Sequence, residues 1–93
     1  MNLTTLMIRN IPINNFTQSD MIALIDVEFK GYYNYFYQPK DLKTQQGVGF
    51  AFINMVHPVY IIEFYLKFNG IKWCEKIAKS NSTKLCEITY ANV

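Results

Sequence analysis

Val48-Gly49-Phe50-Ala51-Phe52-Ile53-Asn54-Met55 is the stretch on which the fold turns. Read as a β-strand, it alternates between two faces, so Phe50 and Phe52 share one face and Ala51, Ile53 and Met55 the other. The second set can build a core while the first leaves two rings in the open. A shorter apolar segment, Leu6-Met7-Ile8-Arg9-Asn10-Ile11, lies upstream and alternates in the same way. Adjacent rings on a sheet that uses its other face for the core are suited to stacking single-stranded bases.

Composition bounds what such a sheet can belong to. The chain has 93 residues, 51% hydrophobic and 17% charged, which suits one globular domain spanning 1–93 with its own core. Seven Phe, seven Tyr and one Trp supply large buried areas as well as stacking surfaces. The net charge of +2 is low for a dedicated phosphate binder, so basicity alone does not point to nucleic acid. Two Cys and a single His cannot make a four-ligand zinc site of the usual spacing, and neither metal nor cofactor is expected. No charged region is followed by a long apolar stretch, so neither a signal peptide nor a membrane span is expected, and free thiols then place the chain in the nucleus or cytoplasm. No nucleophile and base stand together in a pattern that suggests an enzyme.

The chain is punctuated around the two strands. Pro12 and the Asn14-Asn15 pair close the first. Thr17 with Asp20 resembles a capping box, and Met21, Leu24, Ile25 and Phe29 recur at helical spacing before Gly31 ends the helix. Tyr32-Tyr33-Asn34-Tyr35-Phe36-Tyr37 is short and aromatic, hence a strand, followed by a polar loop over 39–47. After the Phe50 strand, His57-Pro58 opens a second helix, apolar almost all round, and Gly70 suits the position just past its end. Residues 72–84 read as a connection, and Leu85-Cys86-Glu87-Ile88-Thr89-Tyr90 alternates as a fourth strand. The order βαββαβ is α+β and closes into a ferredoxin-like sandwich, a four-stranded antiparallel sheet with both helices on one face. Right-handed crossovers put strands one and three together at its centre, with Met7 and Arg9 beside Phe50 and Phe52.

The two apolar segments resemble the paired signatures of the RNA recognition motif (RRM), and the strand order agrees. Residues 4–12, 49–55, Phe68-Asn69-Gly70 with Trp73, and Tyr90-Ala91 together resemble the carboxy-terminal RNA recognition motif of the Mei-two-like proteins, RNA-binding regulators associated with meiosis and sexual differentiation. The family usually continues past Tyr-Ala with further residues. The general motif has an aromatic where this chain has Met7 and a Lys or Arg where it has Val48, so one ring and one phosphate contact are replaced; the Mei-two-like proteins share the Met. The resemblance implies single-stranded RNA as the partner. In that setting Phe52 stacks on a base, Phe50 packs between sugars, and Met7 covers a base with its thioether.

The same face is expected to carry Arg9, Asn54, Glu87 and Thr89, with Asn34 and Phe36 joining from the second strand if its polar residue faces outward. Arg9 can meet a phosphate or a base, and Asn54 a Watson–Crick edge; Glu87 suits a base amino group or the rim. Lys40, Lys43, Lys79 and Lys84 are candidates for diffuse phosphate attraction. Tyr33, Tyr35 and Tyr37 are assigned to packing, Trp73 to anchoring the connection against the second helix, and His57 to the helix start. Two rings at roughly 1–3 kcal/mol per base, less the ordering of a flexible strand, give micromolar binding or weaker for the domain alone. The competing reading is a protein-binding module that uses the second helix, Tyr60 to Phe68 being apolar beyond one stripe, with a homodimer as one form of it.

Overall fold

A computed structural model describes residues 4–13, 16–44, 48–77 and 80–91. Its elements are β1 (Thr5–Arg9), α1 (Gln18–Phe29), β2 (Tyr33–Tyr37), β3 (Phe50–Met55), α2 (Val59–Phe68), α3 (Trp73–Lys76) and β4 (Glu87–Tyr90). The strands form one antiparallel sheet in the order β2-β3-β1-β4, and both long helices lie on one side of it. This is the ferredoxin-like arrangement that the alternation and the right-handed crossovers require.

Local chemistry sets the helix ends. Thr17 Oγ1 accepts from the Asp20 backbone N–H at 3.2 Å and Asp20 Oδ2 accepts from the Thr17 N–H at 2.9 Å, so the expected capping box is formed with the shorter carboxylate. Beyond α1 the chain reverses through Gly31 at φ 87°, where a side chain would be strained. At the start of α2 the His57 Nδ1 accepts from the Val59 N–H at 3.1 Å, so His57 satisfies a helix-terminal donor. The breaker pair Asn14-Asn15 lies outside the described residues, as does part of the polar loop, 45–47.

The core lies between the sheet and the helices. Leu6, Ile8, Ala51, Ile53, Met55 and Ile88 enter it from the strands, Met21, Ile25 and Phe29 from α1, and Ile61, Phe64 and Phe68 from α2. Phe64 packs its ring 5.2 Å from Phe29 and 4.7 Å from Phe68, which locks the two helices together.

The connection after α2 holds more order than an irregular loop. Gly70 N–H donates to the Cys86 carbonyl and Cys86 N–H to the Ile71 carbonyl, each at 2.7 Å, and Lys72 pairs with Leu85. The connection therefore folds back against the entry to β4, with the single turn α3 at its bend. Asn69 Oδ1 accepts from the Ile88 N–H at 2.9 Å, tying the end of α2 to the free edge of β4. Trp73 is fully buried, as an anchor should be, and its ring contact is with Phe16, 6.5 Å away in the segment leading into α1.

Candidate nucleic-acid interface

The register arranges the open face in rows. Met7 on β1 pairs with Phe52 on β3 and with Thr89 on β4, and Tyr37 on β2 pairs with Phe52, so Tyr37, Phe52, Met7 and Thr89 form one row across all four strands. In the next row Arg9 stands between Phe50 and Glu87. Thr5 and Asn54 pair in the row on the other side. These positions alternate with the buried Leu6, Ile8, Ala51, Ile53 and Ile88, so the pleat alone sends them outward.

The two rings of β3 meet edge to face, with centroids 5.7 Å apart and planes at 78°, so each turns a different part of its π surface outward. Arg9 Nη1 lies 3.8 Å from Glu87 Oε1, both side chains half exposed, a distance at which the guanidinium is steadied but still open to a ligand. Asn54 is already engaged: its Oδ1 accepts from Thr4 Oγ1 and Thr5 Oγ1, and its Nδ2 donates to Asn34 Oδ1, each at 2.8 Å. With its acceptor doubly used, Asn54 acts here as a brace between β1 and β2, with one amide hydrogen left for a ligand.

Phe36 does not join this face. Tyr33 pairs with Met55 but Tyr35 pairs with Asn54, so Asn34 is an extra residue, a β-bulge that shifts the strand by one position. After the shift Phe36 pairs with the buried Ile53 and packs against the core. Tyr35 and Tyr37, assigned to packing on sequence grounds, turn outward instead, 52% and 48% exposed. A strand whose residues are aromatic on both faces gives period-two reading nothing to contrast; an Asn in its middle was the one local sign of irregularity.

Lys40 and Lys43 are exposed in the β2–β3 loop and Lys84 is exposed ahead of β4, off the face itself. Lys79 lies outside the described residues. Two groups on the covered side titrate abnormally. Burial, with the hydrogen bond and negative charge of Asp26 adding to it, pushes the Tyr33 hydroxyl up to about 12; it donates to Asp26 Oδ1 at 2.6 Å. Burial, with Glu87 next in effect, pushes the Cys86 thiol up to about 12, which leaves it protonated at neutral pH. Among the described residues no cluster of His, Cys, Asp or Glu could hold a metal ion, and no helix is long and apolar enough to cross a membrane.

A separate groove of about 250 Å³ runs between α2 and β4, lined by Leu6, Ile61, Ile62, Tyr65, Leu66, Ile88, Thr89 and Tyr90. It is apolar, and Ile62, Leu66 and Tyr90 stand well out into solvent along it.

Comparison with known proteins gives this geometry a context. The model of the family RNA recognition motif 2 matches residues 3–93. Protein MEI2-like 2 of Oryza sativa subsp. japonica is 49% identical over 90 residues, covering 97% of this chain and 10% of that protein. Protein MEI2-like 5 of Arabidopsis thaliana is 48% identical over 90 residues, covering 97% of this chain and 11% of that protein. The chain thus spans about a tenth of the length of the curated relatives it matches. Among solved structures, a Sex-lethal protein–RNA complex superimposes with a TM-score of 0.72 at 22% identity, covering 99% of this chain and 48% of that one. The Rna15 RRM with bound RNA (GU) superimposes with a TM-score of 0.70 at 16% identity, covering 96% of this chain and 83% of that one. These last two likenesses concern the fold.

Proposed function

The chain belongs to the RNA recognition motif 2 family, and from that premise we propose that its open sheet face binds single-stranded RNA. The observation that carries this reading is the placement of Met7, Phe50 and Phe52 side by side on the one sheet face that the helices leave uncovered. Phe52 takes a base on its ring, Met7 covers the same or the next base with its polarizable sulfur, and Phe50 packs between sugars. Arg9 supplies a cation beside the rings, and Thr89 a hydroxyl at the β4 end of their row. Since Met7 and Val48 replace an aromatic and a basic residue of the general motif, binding leans on few contacts and is micromolar or weaker for this domain alone. Linkage to further binding segments in a longer protein would raise it. The relationship to the MEI2-like proteins supports placing this activity in a post-transcriptional regulator of meiosis or differentiation.

An NMR titration of the labelled domain with short RNAs of mixed sequence tests the proposal. Shifts centred on Met7, Phe50 and Phe52 that vanish in a folded Phe50→Ala, Phe52→Ala variant support it. An unresponsive sheet in a folded domain overturns it.

The groove between α2 and β4 favours a second reading, contact with another copy of the chain. Sedimentation of the domain against a Leu66→Lys variant distinguishes the two: a dimer lost in the variant supports this reading, and a monomer at all concentrations removes it.

A further inference from the structure

Tyr35 and Tyr37 are exposed rings of the sheet face that stacking at Met7 and Phe52 leaves unused. They stand on the outer strand β2, two residues apart, hence about 7 Å from each other along the strand. Their direction is set by the bulge at Asn34, and the bulge is braced through β3: Asn34 Oδ1 accepts from Asn54 Nδ2, whose own Oδ1 is held by Thr4 and Thr5 at the start of β1. Three strands are thus tied together around the residue that turns the tyrosines outward. Large rings held half exposed on a supported edge are not needed for the core, which Tyr33 and Phe36 serve from the same strand.

Cations lie next to these rings. Beyond Tyr37 the chain enters the loop bearing the exposed Lys40 and Lys43, whereas at the opposite edge Arg9 is shared with the Glu87 carboxylate. Asp41 stands between the two lysines, but its carboxylate is turned back onto the Lys43 and Thr44 N–H groups, at 2.7 and 3.2 Å, so a strand that leaves Phe52 toward Tyr37 meets two exposed ammonium groups beyond it. We propose that Tyr35 and Tyr37 form a second stacking platform, taking bases of the same RNA strand beyond those held at Met7 and Phe52, with Lys40 and Lys43 meeting its phosphates. This inference rests on the RNA-binding reading above and extends the site from the central strands to the β2 edge.

Fluorescence anisotropy with two random-sequence RNA pools tests it, one about three nucleotides long, matched to the bases that the two central strands stack, and one about eight. In a Tyr35→Leu, Tyr37→Leu variant, affinity for the longer pool is expected to fall about tenfold or more while that for the shorter pool stays unchanged. A Tyr35→Phe, Tyr37→Phe variant keeps the rings and is expected to bind the longer pool as the parent does. Equal affinity of the Leu variant and the parent for the longer pool, with a Phe50→Ala, Phe52→Ala variant losing both pools, overturns the platform and leaves the RNA-binding reading intact. If the Phe50→Ala, Phe52→Ala variant loses neither pool, that reading falls and the platform falls with it.

Discussion

Phe52 and Phe64 carry the same ring and lie in two different environments, one on the open face of β3 and the other at 0% exposure in α2 beneath the sheet. Around Phe64 the neighbours are Phe29 and Phe68, other rings of the core. Around Phe52 they are Phe50, Met7 and Tyr37, all of which also reach solvent. The covered ring is fully engaged by the protein; the open one retains surface that only a ligand can cover. The covered face therefore governs stability and the open face governs binding.

Truncating each ring in turn tests that division most directly. Phe64→Ala is expected to cost about 3–5 kcal/mol in urea unfolding, the usual result of removing a fully buried ring. Phe52→Ala is expected to cost about 1 kcal/mol, the size of a cross-strand pair, while still weakening RNA binding. Equal stability losses for the two would mean that the open face is a second core.

Much of this division is legible in the chain itself, because β3 and β1 alternate cleanly between large apolar residues that go in and Phe50, Phe52, Met7 and Arg9 that go out. The capping box at Thr17 and Asp20 and the stop at Gly31 are equally local signals and read correctly. β2 is where reading stops short. Tyr-Asn-Tyr-Phe-Tyr has no polar face to fix its register, so the bulge depends on hydrogen bonds between Asn34, Asn54, Thr4 and Thr5, partners far apart in sequence. The one-residue shift sends Phe36 to the core and brings out two tyrosines. α3 is hidden for a similar reason, since a single turn is held by the pairing of its flanks with the segment before β4 rather than by its own four residues.

β2 itself holds a covered ring beside its open ones, that of Tyr33. Unlike Tyr35 and Tyr37 it faces the helices, and its hydroxyl is held by Asp26 of α1. Its folded-state pKa, about 12, lies above the ordinary 10.0, so the folded protein keeps this proton more tightly than the unfolded chain. The stability it contributes is complete below about pH 10 and is lost as pH rises from there toward 12. Tyr33→Phe is expected to cost about 1 kcal/mol at neutral pH and to flatten the decline of the urea midpoint across that alkaline window. A variant that declines as steeply as the parent would place the alkaline sensitivity elsewhere.

The smallest expected effect concerns Glu87, a charged residue of the open face that opposes phosphate. Its pair with Arg9 is half exposed, and such a pair contributes about 0–1 kcal/mol, so Glu87→Gln is expected to leave the unfolding midpoint nearly unchanged. Binding should respond more clearly than stability. Without the carboxylate, Arg9 is free to meet a phosphate, and RNA affinity at low salt is expected to rise a few-fold. The slope of log affinity against log salt is expected to steepen by about 0.7, the share of one added phosphate contact on a single strand. A fall in affinity with an unchanged slope would give Glu87 the other role open to it, accepting a hydrogen bond from a base amino group. The β4 edge would then read bases.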